Sequence, residues 1–249
     1  MTQSAPRIER LAEIDSTNEE AKRRLGAGAE TPFWISAAAQ TAGRGRRGRP
    51  WQSRGGNLFL SGAYRFSSDP GELAQLSFVT ALAAYDAFAA HVLPGAVSLK
   101  WPNDLLLDGA KAGGILLESG MDSVGRWLVV GIGLNIADAP DNTPYPALAL
   151  ADRLAPGLNR PHPDDVARDL AAAFESWLGV WRREGFTAIR KAWLSRASGL
   201  GEPIVVKGGA EDLYGVFEDL DAGGALCLRQ PDGALMRVAA GDVFFPGRK

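Results

Sequence analysis

The sequence predicts an α+β protein, with a mixed and largely antiparallel sheet flanked by helices and a small β-barrel at the C-terminal end. In the first part of the chain, short apolar segments are joined by glycine-rich turns, which suit hairpins better than helical crossovers. Two long segments, residues 73–92 and 164–184, have the apolar spacing of helices. Beyond residue 202 the helical pattern disappears and only short strand-like segments remain.

The first helix is expected to begin at Ser16 or Thr17, because either residue can cap a helix and Glu19 or Glu20 follows three positions later. We expect this helix to end at Gly26. The elements predicted after it are strands at residues 33–39 and 57–66, a helix at residues 73–92, and strands at residues 97–101, 114–119 and 126–136.

The second half of the chain begins with a loop and continues with two helices. Residues 137–146 contain three prolines and are predicted to form an exposed loop. Apolar residues recur at helical spacing over residues 164–184, and Gly185 ends that helix. A shorter helix is expected at residues 186–197.

The C-terminal segment is predicted to form a small SH3-like barrel. Its strand-like segments are joined by turns rich in glycine and aspartate, which suit tight hairpins. A unit this small is marginally stable alone, so we expect it to dock on the larger domain. The predicted domains are residues 1–199 and residues 200–249, and the barrel strands are residues 204–207, 213–219, 225–229 and 234–238.

The composition is that of a folded globular protein. The 249 residues are 46% hydrophobic and 22% charged, and the formal net charge is −2. A single cysteine excludes an internal disulfide, and two histidines argue against a histidine-rich metal site. No apolar run approaches the roughly 20 residues of a membrane span, and the N-terminus has no signal-peptide core. We therefore expect a soluble, cytoplasmic protein.

The most unusual segment is Gly-Arg-Gly-Arg-Arg-Gly-Arg-Pro-Trp at residues 43–51, called the glycine–arginine loop below. Four guanidinium groups this close repel each other, so we expect a poorly ordered loop until an anion neutralises it. Glycines allow backbone N–H groups to close around a phosphate, and arginine pairs with phosphate oxygens through a planar fork. The loop is therefore predicted to be a lid that orders on a phosphate-containing ligand. A solvated charged hairpin and a basic segment for nucleic acid are the alternatives, and the mildly acidic net charge weakens the second.

Three further segments place polar residues beside predicted strands. Residues 100–104 read Lys-Trp-Pro-Asn-Asp, and Pro102 ends the strand, which exposes the polar residues after it to a ligand or metal. Residues 111–114, Lys-Ala-Gly-Gly, place a lysine beside a close backbone approach. Residues 131–135 read Gly-Ile-Gly-Leu-Asn. Their small residues leave room for a flat ring, and the Asn135 side-chain amide can form hydrogen bonds with the edge of a base. Each motif alone is weak, because a lysine beside two glycines is more often part of a solvated turn.

In their order along the chain, these motifs resemble the biotin–protein ligases. The resemblance extends from about Ile8 through the C-terminal barrel, and its motifs are Ser16-Thr17-Asn18, Gln40 with the glycine–arginine loop, residues 100–104, residues 111–116 and residues 133–135. It implies that residues 1–199 form a biotin- and ATP-binding catalytic domain similar to class II aminoacyl-tRNA synthetases. It also implies an ATP- and Mg²⁺-dependent ligase that forms biotinyl-5′-AMP and then transfers biotin to a lysine of a biotin carboxyl carrier domain, as in acetyl-CoA carboxylase.

The resemblance further implies roles for individual residues. The implied biotin-binding residues are Ser16, Thr17, Asn18, Gln40, Arg44, Gly45 and Gly114. The implied ATP- or adenylate-binding residues are Arg46, Arg49, Trp51, Lys111 and Asn135. Lys111 and Arg46 would act in catalysis, because fixed positive charge must neutralise a carboxylate and a phosphate as they meet. Asp104 would be linked to magnesium or would orient a lysine, and Arg47 and Arg49 would alternatively hold the closed loop or a dimer contact.

Some members of this family carry an N-terminal DNA-binding domain. Because the Ser-Thr-Asn motif begins at residue 16 here, we expect none, and we expect no operator binding. The expected partner is the carrier domain, without nucleic acid or membrane, and the expected state is a monomer or weak homodimer. A lipoate-attaching relative is the alternative among enzymes, although such proteins are not expected to show this arginine–glycine run. A nucleic-acid-binding module is the alternative from another class, and it predicts salt-dependent binding that does not need Lys111.

Overall fold

The structure, a computed structural model, describes residues 7–141, 143–209 and 211–247. It contains a seven-stranded mixed sheet with helices on both faces, and a separate five-stranded antiparallel sheet near the C-terminus. The predicted α+β class with a small C-terminal β-domain is confirmed. The strands of the larger sheet are β1 (Ile8–Ile14), β2 (Phe33–Gln40), β3 (Leu58–Phe66), β4 (Val97–Lys100), β5 (Asp104–Leu107), β6 (Ala110–Asp122) and β7 (Gly125–Leu134).

The helices and the smaller sheet complete the fold. The helices are α1 (Thr17–Gly26), α2 (Pro70–Ala74), α3 (Leu76–Ala89), α4 (Pro163–Glu184) and α5 (Phe186–Leu194). The strands of the smaller sheet are β8 (Pro203–Lys207), β9 (Leu213–Leu220), β10 (Leu226–Arg229), β11 (Leu235–Val238) and β12 (Asp242–Phe244). Its spatial order is β11-β10-β9-β8-β12.

The larger sheet has the order β1-β2-β3-β7-β6-β5-β4. Strands β1 and β2 are parallel because α1 crosses over between them, whereas every other neighbouring pair is antiparallel. The prediction of a mixed, largely antiparallel sheet is therefore confirmed. Hairpin connections bring β5, β6 and β7 side by side, so three motifs that are distant in sequence meet on one face of the sheet.

Helices α3 and α4 cover one face of the larger sheet and form most of its core with it. Trp34 of β2 packs edge-on against Phe174 of α4, with ring centroids 5.5 Å apart. Helix α3 is apolar on most sides because it lies between the sheet and α4. Within the described ranges, no helix combines the length and the apolar character that crossing a membrane requires.

Helix α1 covers only part of the opposite face. Ala21 and Leu25 of this helix pack on Ile35 of β2, and all three residues are buried. Beyond α1, the same face is open above β5, β6 and β7, and the glycine–arginine loop and the smaller sheet border this opening. The helix that begins at Ser16 and Thr17 therefore also forms one wall of a cleft.

Several element boundaries differ from the sequence-based expectation. Strand β1 is not predicted because it is an edge strand with four of its seven residues exposed, three of them charged, and without a two-residue alternation of burial. Strands β5 and β12, of four and three residues, are not predicted. The predicted helix at residues 73–92 is instead two helices, α2 and α3, joined at Gln75, which keeps helical backbone angles.

The smaller sheet packs against the larger domain through Trp101. The indole is 2% exposed, and its N–H donates a hydrogen bond to the Gly224 carbonyl oxygen at 3.1 Å. Val206 of β8 and Phe217 of β9 belong to the same buried cluster as the core of the larger domain. The smaller sheet is thus docked, as expected for a unit with a small core of its own. The domain boundary at residues 199 and 200 stays a prediction.

We predict that Trp101→Ala lowers the free energy of unfolding by about 3–5 kcal/mol, because it leaves a cavity and an unpaired carbonyl between the two sheets. Urea denaturation measures the change. Trp127→Ala is the matched control, because Trp127 is only partly buried, and we expect a smaller loss there. Equal losses in the two variants would contradict the idea that Trp101 joins the two sheets.

Candidate active site

A cleft of about 910 Å³, including its open mouth, lies on the α1 face of the larger sheet. Its walls come from α1, the glycine–arginine loop, the ends of β5 to β7 and strand β12. The residues predicted from the sequence that line it are Ser16, Thr17, Asn18, Gln40, Arg44, Gly45, Arg46, Arg49, Trp51, Asp104, Lys111 and Gly114.

Glycines form the floor of the cleft. Gly133 of β7 lies directly opposite Gly114 of β6, and the missing side chains leave a flat shelf. The indole of Trp51 lies on this shelf: a Cβ atom at Gly133 would stand 2.5 Å from the ring, and one at Gly114 would stand 3.0 Å from it. The prediction that a flat ring can lie here fits the geometry, because the Trp51 indole itself lies on these glycines.

A carboxylate and two lysines form the most buried ionic group of the cleft. Asp104 has a side chain that is 12% exposed, and its two oxygens lie 2.6 Å from Lys111 Nζ and 3.2 Å from Lys100 Nζ. Burial raises the pKa of Asp104, but the charges of Lys111 and Lys100 outweigh it, and the net pKa lies below its ordinary value near 3.8. Asp104 is therefore an ionised counter-charge that holds both ammonium groups at the cleft.

Asp104 is also the residue predicted to be linked to magnesium. Both of its oxygens are engaged by lysines, which are poor neighbours for a divalent cation. Among the described residues, no group of three or more His, Cys, Asp or Glu side chains is placed to hold a metal ion. The donor set does not fit a protein-held magnesium ion at Asp104, and the geometry favours the alternative role of orienting a lysine.

The glycine–arginine loop is a small hairpin closed at its base by the Trp51 N–H, which donates to the Gly43 carbonyl oxygen at 2.9 Å. Arg49 pairs with Asp242 of β12 at 2.7 Å, and Arg46 lies 3.7 Å from the same carboxylate. Arg47 donates to the Gly208 carbonyl oxygen at 3.3 Å. The repulsion from which we expected disorder is thus offset by protein acceptors, and those of Arg47 and Arg49 lie on or beside the smaller sheet.

Arg46 points into the cleft from this loop. Its guanidinium donates to Asn103 Oδ1 at 3.0 Å, and Asn103 is oriented by its own bond to the Ile115 carbonyl oxygen at 2.7 Å. Burial lowers the pKa of Arg46, although guanidinium groups remain protonated at any physiological pH. Arg46 is therefore a partly desolvated cation whose ion pair with Asp242 is long, at 3.7 Å, and such a group attracts an anionic ligand.

The other end of the cleft is lined by neutral polar groups. Thr17 donates its backbone N–H to Gln40 Oε1 at 2.9 Å, and Asn18 donates its amide to Glu118 Oε2 at 2.8 Å. Arg44 pairs with Glu19 and lies 3.1 Å from Glu118. Burial raises the pKa of Glu118, but hydrogen bonds from Asn18, Lys22 and Arg44 outweigh it, so the net pKa lies below its ordinary value.

Asn135 does not line the cleft. It is 4% exposed, and its amide nitrogen lies 3.3 Å from the Leu148 carbonyl oxygen and 3.5 Å from that of Lys111. The chain after β7 turns back beside Lys111, and carbonyl groups of both segments use the Asn135 amide. A direct contact between Asn135 and adenine stays a prediction.

Several cleft residues are not identified by the sequence analysis. Asp242 and Phe244 come from β12, and Tyr145 comes from the proline-containing loop after β7. The Tyr145 ring lies 5.2 Å from Lys111 Nζ, which also lies 5.8 Å from the Trp51 ring. No local motif marks these residues, because each reaches the cleft only through tertiary packing.

Two family models match the chain. The model of the biotin/lipoate A/B protein ligase family matches residues 11–135, and the model of the biotin protein ligase C-terminal domain matches residues 199–245. The first range includes most of the cleft, and the second includes the smaller sheet. The chain therefore belongs to the biotin/lipoate A/B protein ligase family.

The sequence relatives are biotin ligases. A Paracoccus denitrificans protein named biotin–[acetyl-CoA-carboxylase] ligase is 42% identical over 250 residues, which cover 95% of this chain and 100% of that protein. The Escherichia coli bifunctional ligase/repressor BirA is 31% identical over 243 residues, which cover 94% of this chain and 72% of that protein. The resemblance to the biotin–protein ligases is thereby confirmed.

Solved structures agree with these relatives. The biotin protein ligase of Aquifex aeolicus in complex with biotin and ATP matches with a TM-score of 0.79 and 26% identity, covering 95% of this chain and 97% of that one. The Leishmania major biotin protein ligase in complex with biotinyl-5-AMP matches with a TM-score of 0.67 and 28% identity, covering 95% of this chain and 100% of that one. The chain therefore shares the fold of enzymes whose structures contain the substrates and the adenylate.

We predict a pH dependence of stability from Asp104. Its pKa is depressed in the folded protein, so its ionised form stabilises the fold above the unfolded value near 3.8, and this contribution is lost as the pH falls through the folded value. Asp104→Asn leaves two lysines without their counter-charge and should cost about 3–5 kcal/mol at neutral pH. We expect this difference from wild type to stay constant from about pH 5 to pH 8 and to shrink below about pH 4.

Urea denaturation at several pH values measures this difference. Asp169→Asn on the exposed side of α4 is the control and should change the free energy of unfolding little at any pH. A destabilisation by Asp104→Asn that grows as the pH falls below about 4 would contradict the assigned ionisation of Asp104.

Proposed function

We propose that this chain is an ATP-dependent ligase that forms biotinyl-5′-AMP from biotin and ATP and then transfers biotin to a lysine of a biotin carboxyl carrier domain. The observation that carries the proposal is the cleft itself, where Arg46 and Lys111 face one space that also has a neutral polar end. A carboxylate and a triphosphate repel each other, so a site that joins them needs fixed positive charge. The relatives that match over nearly the whole chain are named for this activity.

In the first step, a carboxylate oxygen of biotin attacks the α-phosphorus of ATP. The bond from that phosphorus to the bridging oxygen breaks, and pyrophosphate leaves with its electron pair. Lys111 would contact the carboxylate and the α-phosphate as they approach, with Asp104 holding its ammonium group in place. Arg46 would pair with the α-phosphate, since its guanidinium lines the cleft and its ion pair with Asp242 is long, at 3.7 Å.

In the second step, the neutral amine of the acceptor lysine attacks the acyl carbon of the mixed anhydride. An amide forms, the acyl–oxygen bond breaks, AMP leaves with the electron pair of that bond, and the attacking nitrogen loses one proton. The anhydride also reacts with water, so the site must exclude solvent between the two steps. The glycine–arginine loop is placed to do this, because its contacts with Asp242 and Gly208 close it over the cleft.

Biotin would occupy the neutral end of the cleft and the glycine shelf. Its ureido ring has one carbonyl and two N–H groups, which need partners in a dry pocket. Ser16, Thr17, Asn18 and Gln40 supply such partners, while Arg44, Gly45 and Gly114 border the same space. Trp51 now covers the shelf, and within the described residues its buried indole N–H has no acceptor. Ligand binding would therefore move Trp51 off the glycines, where it is free to form a wall beside adenine.

Magnesium is proposed to enter the site on the phosphates of ATP. Mg²⁺ commonly binds through substrate phosphates and one or two carboxylates and keeps several waters. Asp104 is held by two lysines and Asp242 is paired with Arg49, so the phosphates themselves would supply most of the ligands of the ion. Asn135 is proposed to act behind Lys111, since its amide lies near the Lys111 carbonyl oxygen.

The family also includes lipoate ligases, and one observation favours biotin. The neutral end of the cleft contains the hydroxyls of Ser16 and Thr17 and the amide of Asn18 at the start of α1. It also contains the amide of Gln40 at the end of β2. A dithiolane ring offers no N–H or carbonyl group to these partners, so its binding would leave them unpaired. The cytoplasmic location, the monomer or weak homodimer, and the absence of nucleic-acid binding stay predictions.

We predict that adding biotin to the protein with ATP releases pyrophosphate, and that Lys111→Ala lowers the rate by about 10²–10³-fold, the loss expected for one preorganised donor. A coupled pyrophosphate assay measures the rate, with lipoate and no acid as controls. Lys191→Ala, on the exposed side of α5, is the matched control and should keep the wild-type rate. Absence of release with biotin, or release with lipoate instead, would contradict the proposed function.

A further inference from the structure

A buried serine lies directly beneath the proposed biotin pocket without lining it. Ser61 of β3 is 0% exposed, and it faces the α1 side of the sheet opposite Gly131. Its hydroxyl oxygen lies 2.8 Å from Thr17 Oγ1 and 2.6 Å from Asn18 Oδ1. Ser61 therefore joins two residues of the pocket from behind.

The hydrogen-bond directions in this group follow from Glu118. An ionised carboxylate only accepts hydrogen bonds, so Asn18 must present its NH₂ group to Glu118 Oε2, at 2.8 Å. This fixes the amide and turns Asn18 Oδ1 toward Ser61. A Cβ atom at Gly131 would stand 2.2 Å from Asn18 Oδ1, so the amide packs closely on the sheet in this orientation.

An amide oxygen also only accepts, so Ser61 must donate its single hydroxyl proton to Asn18 Oδ1. With that proton used, the Ser61 oxygen has only acceptor capacity left for Thr17. The Thr17 hydroxyl therefore donates toward Ser61, which lies 2.8 Å away. Each bond in the series forces the direction of the next one.

The Thr17 hydroxyl has one other acceptor within reach. Gln40 Oε1 lies 3.2 Å from it, but this oxygen already accepts the Thr17 backbone N–H at 2.9 Å. With either acceptor, the Thr17 proton is used inside the protein. Only lone pairs of the Thr17 hydroxyl oxygen then face the cleft, so the hydroxyl can accept a hydrogen bond from a ligand but cannot donate one.

We propose that Ser61 is a positioning residue for substrate selection: it holds the Thr17 hydroxyl as an acceptor, so that the pocket takes an acid whose ring presents an N–H donor. The inference rests on the proposed function and deepens it. A cyclic urea supplies the donor that Thr17 needs, whereas a dithiolane leaves the Thr17 lone pair unpaired in a desolvated site. Specificity at the ring is thus set partly by a residue that never touches the ligand.

The test is the kinetic effect of Ser61→Ala on pyrophosphate release. Without Ser61, the Thr17 hydroxyl keeps only the longer 3.2 Å contact with Gln40 Oε1, an oxygen that already accepts the Thr17 backbone N–H. Its proton can then also turn toward the cleft, and Asn18 Oδ1 loses its donor. We expect KM for biotin to rise about tenfold, the scale of one buried hydrogen bond, while kcat and KM for ATP change less than about twofold. A purely structural role would move the constants for both substrates together.

Ser36→Ala is the matched control. Ser36 of β2 is a buried serine, 3% exposed, but it lies opposite Leu60 and so faces the helix layer on the other side of the sheet. We expect this variant to keep the wild-type KM for biotin. Since KM reports only folded, active molecules, a loss of stability in either alanine variant does not imitate the expected result.

If Ser61→Ala does not fold, Ser61→Cys takes its place, because a thiol keeps the volume but is a weak donor and acceptor. A KM for biotin within about twofold of wild type in the folded Ser61 variant would overturn the inference. A parallel rise in KM for ATP, or the same rise in Ser36→Ala, would also overturn it. Failure of the proposed function gives a different result, because the wild-type protein itself would then show no biotin-dependent pyrophosphate release. That result would also overturn the inference about Ser61.

Discussion

The ion pairs of Asp104 are the interaction on which the cleft depends. Lysine ammonium groups that are largely removed from water need a counter-charge nearby, and Asp104 lies 2.6 Å from Lys111 and 3.2 Å from Lys100. Strand pairing places this carboxylate, because Asp104 of β5 lies opposite Gly114 of β6 at the edge of the glycine shelf. The fold thus puts fixed positive charge beside a flat surface without filling the space between them.

The same principle explains why the smaller sheet belongs to the site. Asp242 of β12 pairs with Arg49 and lies 3.7 Å from Arg46, so a carboxylate of the C-terminal domain contacts the arginines that are proposed to bind phosphate. Trp101 holds the two sheets together through its bond to Gly224. The glycine–arginine loop is therefore held closed by a sheet whose own position depends on Trp101.

Local motifs predict much of the fold and the site, because periodicity, caps and glycine spacing act over a few residues. They predict α1 and α4, and they identify Ser16, Arg46 and Lys111. They do not predict Asp242, Tyr145 or Ser61, since each of these reaches the site through strand pairing or loop packing that no neighbouring residue encodes. Asn135 is identified by its motif, but the motif does not predict where its side chain points. In the fold, its amide lies near the Lys111 carbonyl oxygen.

The central claim is that Lys111, held by Asp104, and Arg46 receive the phosphate of the adenylate. A crystal structure with a non-hydrolysable analogue of biotinyl-5′-AMP tests it most directly. The account predicts Lys111 Nζ and the Arg46 guanidinium about 3 Å from phosphate oxygens, with Asp104 still paired to Lys111 and the ureido ring beside Thr17. A phosphate bound elsewhere, with Lys111 paired only to Asp104 and Arg46 still on Asn103, would contradict it.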